Sequence, residues 1–146
     1  MKPSVYIKDL AGHVGKEVTL YGWLYNKRSS GKIKFLILRD GTGLLQCVVF
    51  KGNVSEEIFN LADSMTQESS FEVKGVIKTD PKQVGGFEMD VTDLKLISMS
   101  KEYPITPKEH GVEFLMDNCQ LSVRSRKQDA ILKIRQRIIK AIRDFF

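Results

Sequence analysis

Between Lys27 and Phe50 the chain reads KRSSGKIKFLILRDGTGLLQCVVF, and no other stretch limits the possible folds as much. Two apolar runs, Ile33 to Leu38 and Leu44 to Phe50, flank Arg39-Asp40-Gly41-Thr42-Gly43, whose two glycines suit a turn with positive φ. The pattern predicts a β-hairpin. Side chains alternate across a strand, so Leu45, Cys47 and Val49 share one face and Gln46 points to the other. In the first run Leu36 and Leu38 share a face, with Ile33, Phe35, Ile37 and Arg39 on its opposite.

Gln46, with Lys34 near it, argues that the sheet is not core on both sides. An exposed Phe35 close to an exposed amide, beside Lys27, Arg28 and Lys32, is what stacking on an unpaired base and reading its edge requires. A second reading stays open on pattern alone: Phe35 is core and Gln46 a solvated strand residue. The cations Lys27, Arg28, Lys32, Lys34 and Arg39 are open to the same division, since lysines along a hairpin also serve as a soluble edge.

Charge is unevenly placed. Residues 1 to 120 hold 15 Lys or Arg against 16 Asp or Glu, whereas residues 121 to 146 hold 8 against 2, so the body carries −1 and the tail +6. Nucleic-acid binding by the body would therefore rest on local contacts, not on bulk attraction. With 42% apolar and 28% charged residues the chain has globular composition, enough for one domain and an appendage. No apolar run is long enough for a membrane span, and the first residues, MKPSVYIKDLAGHVG, lack a secretory core, so the expectation is a cytoplasmic protein without a membrane partner. Cys47 and Cys119, with only His13 and His110 to help them, have no metal-ligand spacing; the reading is two free thiols and no metal site.

In chain order, Val5 to Val14 suits a short helix or irregular lead-in, and Glu17 to Arg28 alternates as a long strand with Gly22 at a bulge or bend. After the hairpin, Val54 to Met65 predicts a helix capped by Ser55 with Ile58, Leu61, Ala62 and Met65 on one face. Ser70 to Lys78 and Phe87 to Ser98 read as strands separated by the breaker-rich Thr79 to Gly86. Three strands, a helix and two strands, with a glycine-bent first strand, predict an all-β class: a five-stranded Greek-key OB-fold barrel with a helix between strands 3 and 4. A β-sandwich with one helix is the other arrangement open to this order.

The expected organisation is a barrel over 1–100, a linker over 101–128 and a C-terminal amphipathic helix over 129–146. Pro104, Pro107 and Gly111 break the linker, which has room for one helical turn around Glu113 to Met116. From Gln128, QDAILKIRQRIIKAIRDFF places Ile131, Ile134, Ile138, Ala141, Ile142 and Phe145 on one stripe with Leu132, Ile139 and Phe146 beside it. These rows span roughly half the circumference, more than one packing face needs. The helix is thus expected to belong to a larger protein; docking on the barrel or dimerisation would also cover its apolar rows.

GWLYNKRSSGKIKFLILRDGTGLLQCVVF, GGFEMDVTDLKLIS and YPITPKEHGVEFLMDN together resemble the front of the asparaginyl-tRNA synthetase family. The first two pieces have the form shared with the aspartyl and lysyl enzymes, and Pro104 to Gly111 leans toward the asparaginyl branch. The resemblance implies an OB-fold that binds the tRNA anticodon loop, with Phe35 stacking on a base, Gln46 hydrogen-bonding the middle uridine, Arg28 a basic contact and Glu88 a carboxylate beside the anticodon. It implies that the final helix starts a class II catalytic domain whose motifs are not in this sequence. No catalytic residue is then expected here, nor a cofactor. The full-length parent would be a homodimer using ATP and Mg²⁺ to join asparagine to tRNA. After Asp117-Asn118 the family has a basic and aromatic stretch where this chain has Cys119 to Val123, which leaves open how the linker docks. Two alternatives stand beside this reading: an aspartyl-tRNA synthetase, and a free-standing OB module that binds single-stranded nucleic acid.

Overall fold

The structure, a computed structural model, describes residues 5–83, 85–106 and 108–146. Met1 to Ser4 of the opening stretch, Val84 of the 79–86 turn and Pro107 of the Pro104–Gly111 motif lie outside them. The chain divides after Glu102 into two compact units.

In the first unit five strands close a barrel in the order β1 (Glu17–Ser30), β2 (Ile33–Arg39), β3 (Leu44–Phe50), β5 (Phe87–Ser98), β4 (Ser70–Thr79). A 3-10 turn, Ile7–His13, precedes β1, and α1 (Glu56–Ser64) lies between β3 and β4. The all-β OB-fold expected from the element order is what forms. Alternation drives it: Leu20, Leu24, Leu36, Leu38, Cys47, Val49, Phe71, Val73, Ile77 and Met89 all point inward and are almost fully buried.

β1 serves two neighbours. Glu17 to Trp23 pair with β4 and Trp23 to Ser30 with β2, so the strand bends across the barrel at Trp23. Gly22 stands at the crossing for lack of room: a Cβ there would fall on the Arg39 carbonyl oxygen. Of the bulge or bend expected at Gly22 the bend is what forms; the bulge lies at Tyr25, where register passes from Leu24↔Leu38 to Asn26↔Ile37. One extra residue reverses the facing of everything after it. Residues 18, 20 and 24 face inward, yet Arg28, also even-numbered, faces outward opposite Phe35. β1 also runs two residues past its expected end, into a two-residue turn to β2 in which Gly31 takes φ 54°.

The β2–β3 hairpin forms as expected, but neither Gly41 nor Gly43 has positive φ. The Asp40 carboxylate shapes this turn instead, accepting from Thr42 N (2.6 Å), Thr42 Oγ1 (2.7 Å) and Gly43 N (2.8 Å). Its second oxygen accepts from Ile7 N at 2.8 Å, tying the 3-10 turn to the hairpin while Leu10 is fully buried in the core.

Ser55 caps α1, accepting from Ile58 N at 3.3 Å. The helix buries Phe59 and Ala62, with Met65 at its C-cap also buried; Ile58 and Leu61, expected on the buried stripe, are only partly covered. Lys34 faces this helix, and not Gln46 as expected: it is opposite Val49 in register and its ammonium bonds Asp63.

The second unit carries α2 (Val112–Asp117), α3 (Cys119–Ser122) and α4 (Arg126–Phe145). Two short helices thus replace the single expected turn, and the Tyr103 hydroxyl donates to Leu121 O at 3.4 Å across them. Ser125 caps α4, accepting from Gln128 N at 3.5 Å, so the helix starts at Arg126, two residues before the pattern at Gln128. Ile131, Ile134, Ile138 and Ile142 on its stripe are exposed.

Two measurements test these constraints. Gly75 meets β5 at a register shift, where a Cβ would fall on the Asp90 carbonyl oxygen and the Met89 side chain. Gly75→Ala is expected to lower the urea-unfolding free energy by about 1 to 3 kcal/mol, whereas Gly12→Ala, with open space around it, stays within about 0.5 kcal/mol of wild type. Because the core cluster lies between Leu10 and Leu94, a chain ended after Glu102 should unfold cooperatively on heating; a circular dichroism melt without a transition would contradict that.

Candidate nucleic-acid interface

The outward faces of the second half of β1, of β2, of β3 and of β5 form one continuous surface. Rows of register partners cross it. One row is Arg28, Phe35, Val48 and Asp90, and the next is Asn26, Ile37, Gln46 and Glu88. The hairpins set the first three members of each row, and the parallel pairing of β3 with β5 adds the fourth.

This register brings all four residues singled out from the sequence together. The Arg28 guanidinium lies over the Phe35 ring, 4.3 Å from its centroid. The same guanidinium donates from Nη2 to Gln46 Oε1 at 3.2 Å, and Gln46 Nε2 donates to Glu88 Oε2 at 3.4 Å. Phe35, Arg28, Gln46 and Glu88 are one linked chain of contacts.

Two expectations change. Gln46 is not an exposed amide: it is 6% accessible, with each end of its amide bonded. Phe35 is half-buried and neither core nor fully open, since Arg28 covers part of the ring. The fully buried side of β2 belongs to Leu36 and Leu38.

The cation cluster also divides. Arg39 pairs with the buried Glu68 at 2.7 Å, and its guanidinium lies 5.7 Å from the Tyr25 ring. Lys27 donates to the Asp63 carbonyl while Lys34 bonds the Asp63 carboxylate, whose pKa this lysine holds below the usual range. Lys34 and Lys51 lie 5.1 and 5.8 Å from the Phe59 ring, at the α1 end of the barrel. Arg28 is in contact with both Phe35 and Gln46.

Ile37, Val48, Asp90 and Lys78 border this surface as well. Lys78 pairs with Asp90, which raises the ammonium pKa through their hydrogen bond. Val48 follows from hairpin counting, thirteen residues after Phe35 and its partner. Asp90 carries no such sequence signal, because a parallel seam between distant strands places it, and Lys78 borders the surface through its antiparallel partner Glu88.

Among the described residues no three of His, Cys, Asp or Glu converge to hold a metal ion, and no helix is long and apolar enough to cross a membrane. Phe35, Gln46 and Glu88 can offer stacking, amide and carboxylate contacts to a flat polar ligand. Unpaired bases have those properties.

Residues 18–97 match the family described as OB-fold nucleic acid binding domain. The asparagine–tRNA ligase of Herpetosiphon aurantiacus is 52% identical over 143 residues, covering 98% of this chain and 32% of that protein. That of Desulforamulus reducens is 54% identical over 140 residues, covering 96% and 32%. The crystal structure of asparaginyl-tRNA synthetase from Pyrococcus horikoshii complexed with asparaginyl-adenylate superposes with a TM-score of 0.90 at 38% identity, over 99% of this chain and 34% of that one. The chain thus spans about a third of the length of these relatives.

Cys47 lies on the core face of β3, beside Gln46. Burial pushes its thiol up to about 12, whereas Cys119 is exposed. Native protein is expected to release one equivalent of thionitrobenzoate from a disulfide reagent at pH 8 and a second only in denaturant. Two rapid equivalents without denaturant would show that the barrel opens at β3.

Proposed function

We propose that this chain, which belongs to the family of OB-fold nucleic acid binding domains, is the anticodon-reading part of an asparaginyl-tRNA synthetase and takes the anticodon loop on the Phe35 and Gln46 face. The observation that carries the proposal is the linked set Phe35, Arg28, Gln46 and Glu88 on one outward surface. Relatives 52 and 54% identical over nearly the whole chain bear the asparagine name, which favours this branch over the aspartyl alternative.

In this reading 1–100 is the anticodon-binding domain, 101–128 a linker and 129–146 the first helix of a class II catalytic domain. The exposed isoleucines of α4 suit a helix that is covered in the longer protein. ATP and Mg²⁺ are proposed to act in the part of the longer relatives that this chain does not cover. A cytoplasmic homodimer is the corresponding proposal for the whole enzyme.

Each side chain has a physical task. A base stacked against Phe35, on the ring surface Arg28 leaves open or on the guanidinium itself, gains about 1 to 3 kcal/mol. Gln46 offers a carbonyl oxygen and an N–H to a Watson–Crick edge. Arg28 adds a permanent positive charge in the middle of the contact. With the body of the chain near neutral overall, affinity has to come from these contacts.

Binding of an anticodon stem-loop is the test. Wild type should prefer a loop with a central uridine over the same loop with a central cytidine, and equal affinity would leave only a non-specific single-strand surface. Phe35→Ala should lose about 1 to 3 kcal/mol of RNA binding. Its folding free energy should fall far less than that of Phe71→Ala, which empties a fully buried site and costs about 3 to 5 kcal/mol.

A further inference from the structure

We infer that Arg28 and Glu88 are positioning residues that hold the Gln46 amide in one of its two flips, and that this lock makes the site prefer uracil to cytosine. The inference rests on the base-reading role proposed above for Gln46.

The chemistry of the two neighbours fixes the flip. A guanidinium has only donors and an ionised carboxylate only acceptors. Gln46 Oε1 faces Arg28 Nη2 at 3.2 Å and Gln46 Nε2 faces Glu88 Oε2 at 3.4 Å. Exchanging oxygen and nitrogen would set the NH₂ against the guanidinium and the oxygen against the carboxylate. Both bonds would be lost and two repulsive contacts made. At 6% accessibility, water has little access to compensate.

Both neighbours are themselves held. Arg28 is pinned over the Phe35 ring at 4.3 Å and stands opposite it in register, through the Tyr25 bulge. Glu88 is the register partner of Gln46 across the parallel seam.

Each amide end keeps one valence free, a second lone pair on Oε1 and a second hydrogen on Nε2. Uracil presents an N3–H donor beside a carbonyl acceptor, which these two valences match with the amide as held. Cytosine presents an N3 acceptor beside an amino donor and needs the amide reversed. An unrestrained glutamine, whose terminal torsion is broad and roughly two-fold, would serve both pyrimidines. The restrained one serves uracil.

The test measures dissociation constants of the 146-residue chain for two anticodon stem-loops that differ only in central uridine or cytidine. Glu88→Gln keeps the shape but can donate as well as accept, and Arg28→Gln does the same on the other side. Each should lower the cytidine-to-uridine ratio of dissociation constants about tenfold, within the usual range for one mismatched base. Arg28→Lys retains a donor-only group and should keep the ratio even if both affinities fall. Gln46→Ala separates the two levels of the argument. If it collapses the ratio while Glu88→Gln and Arg28→Gln leave it at the wild-type value, the lock is overturned and base reading survives. If Gln46→Ala itself keeps the wild-type ratio, base reading by Gln46 fails and the lock with it. Matched melting curves for Arg28→Gln and wild type show that a lowered ratio is not a loss of fold.

Discussion

Closure of the barrel depends on β1 pairing with β4 over its first half and with β2 over its second. A single strand can do this only if it bends and if its neighbour can come close, which is why the Gly22 position has no space for a Cβ beside the Arg39 carbonyl. Closure removes sheet edges and gathers the inward side chains of all five strands into one core. Ends of the barrel are then sealed by local devices: the Asp40 carboxylate tying the 3-10 turn to a hairpin, and α1 with Phe59 and Met65 at the other.

A bulge just beyond that bend builds the candidate face. The extra residue at Tyr25 turns Arg28 outward, onto the side of β2 that carries Phe35. Without that bulge, strict alternation from Leu20 and Leu24 would aim Arg28 into the core. Buried charge without a partner is costly, so the bulge spares the fold that cost and at the same time brings Arg28 to the candidate surface. Arg28 then links an aromatic to an amide, and the amide to a carboxylate. With the body of the chain near neutral, the specificity proposed for this surface rests on that sequence of contacts and not on long-range attraction.

Sequence patterns were most informative where one face of a strand meets a single core. Leu36, Leu38, Leu45, Cys47 and Val49 revealed the hairpin and its inward side, and Phe35 and Gln46 were correctly placed on the other. Patterns misled where two faces were both half-covered. Lys34 alternates with the core leucines, so it points to α1 and Asp63, although a lysine in a strand reads as solvent-facing. Gln46 reads as solvated for the same reason, and is covered because charged neighbours occupy both ends of its amide. Turn chemistry was also misassigned between equivalent signals: the Gly41 and Gly43 pair needs no positive φ once Asp40 accepts the turn's N–H groups.

By itself the sequence determined the five strands, the helix after the third and the alternation that separates core from surface, because those follow from local periodicity and from the residues that interrupt it. The three-residue association of Phe35, Gln46 and a nearby cation was within its reach, since hairpins pair residues that are close in the chain. Tertiary structure alone decided that Glu88 stands beside Gln46, forty-two residues away, because a parallel seam has no connecting turn to set its register. It alone decided the direction of Arg28, because a bulge leaves the sequence period unchanged on either side while reversing which face each residue occupies.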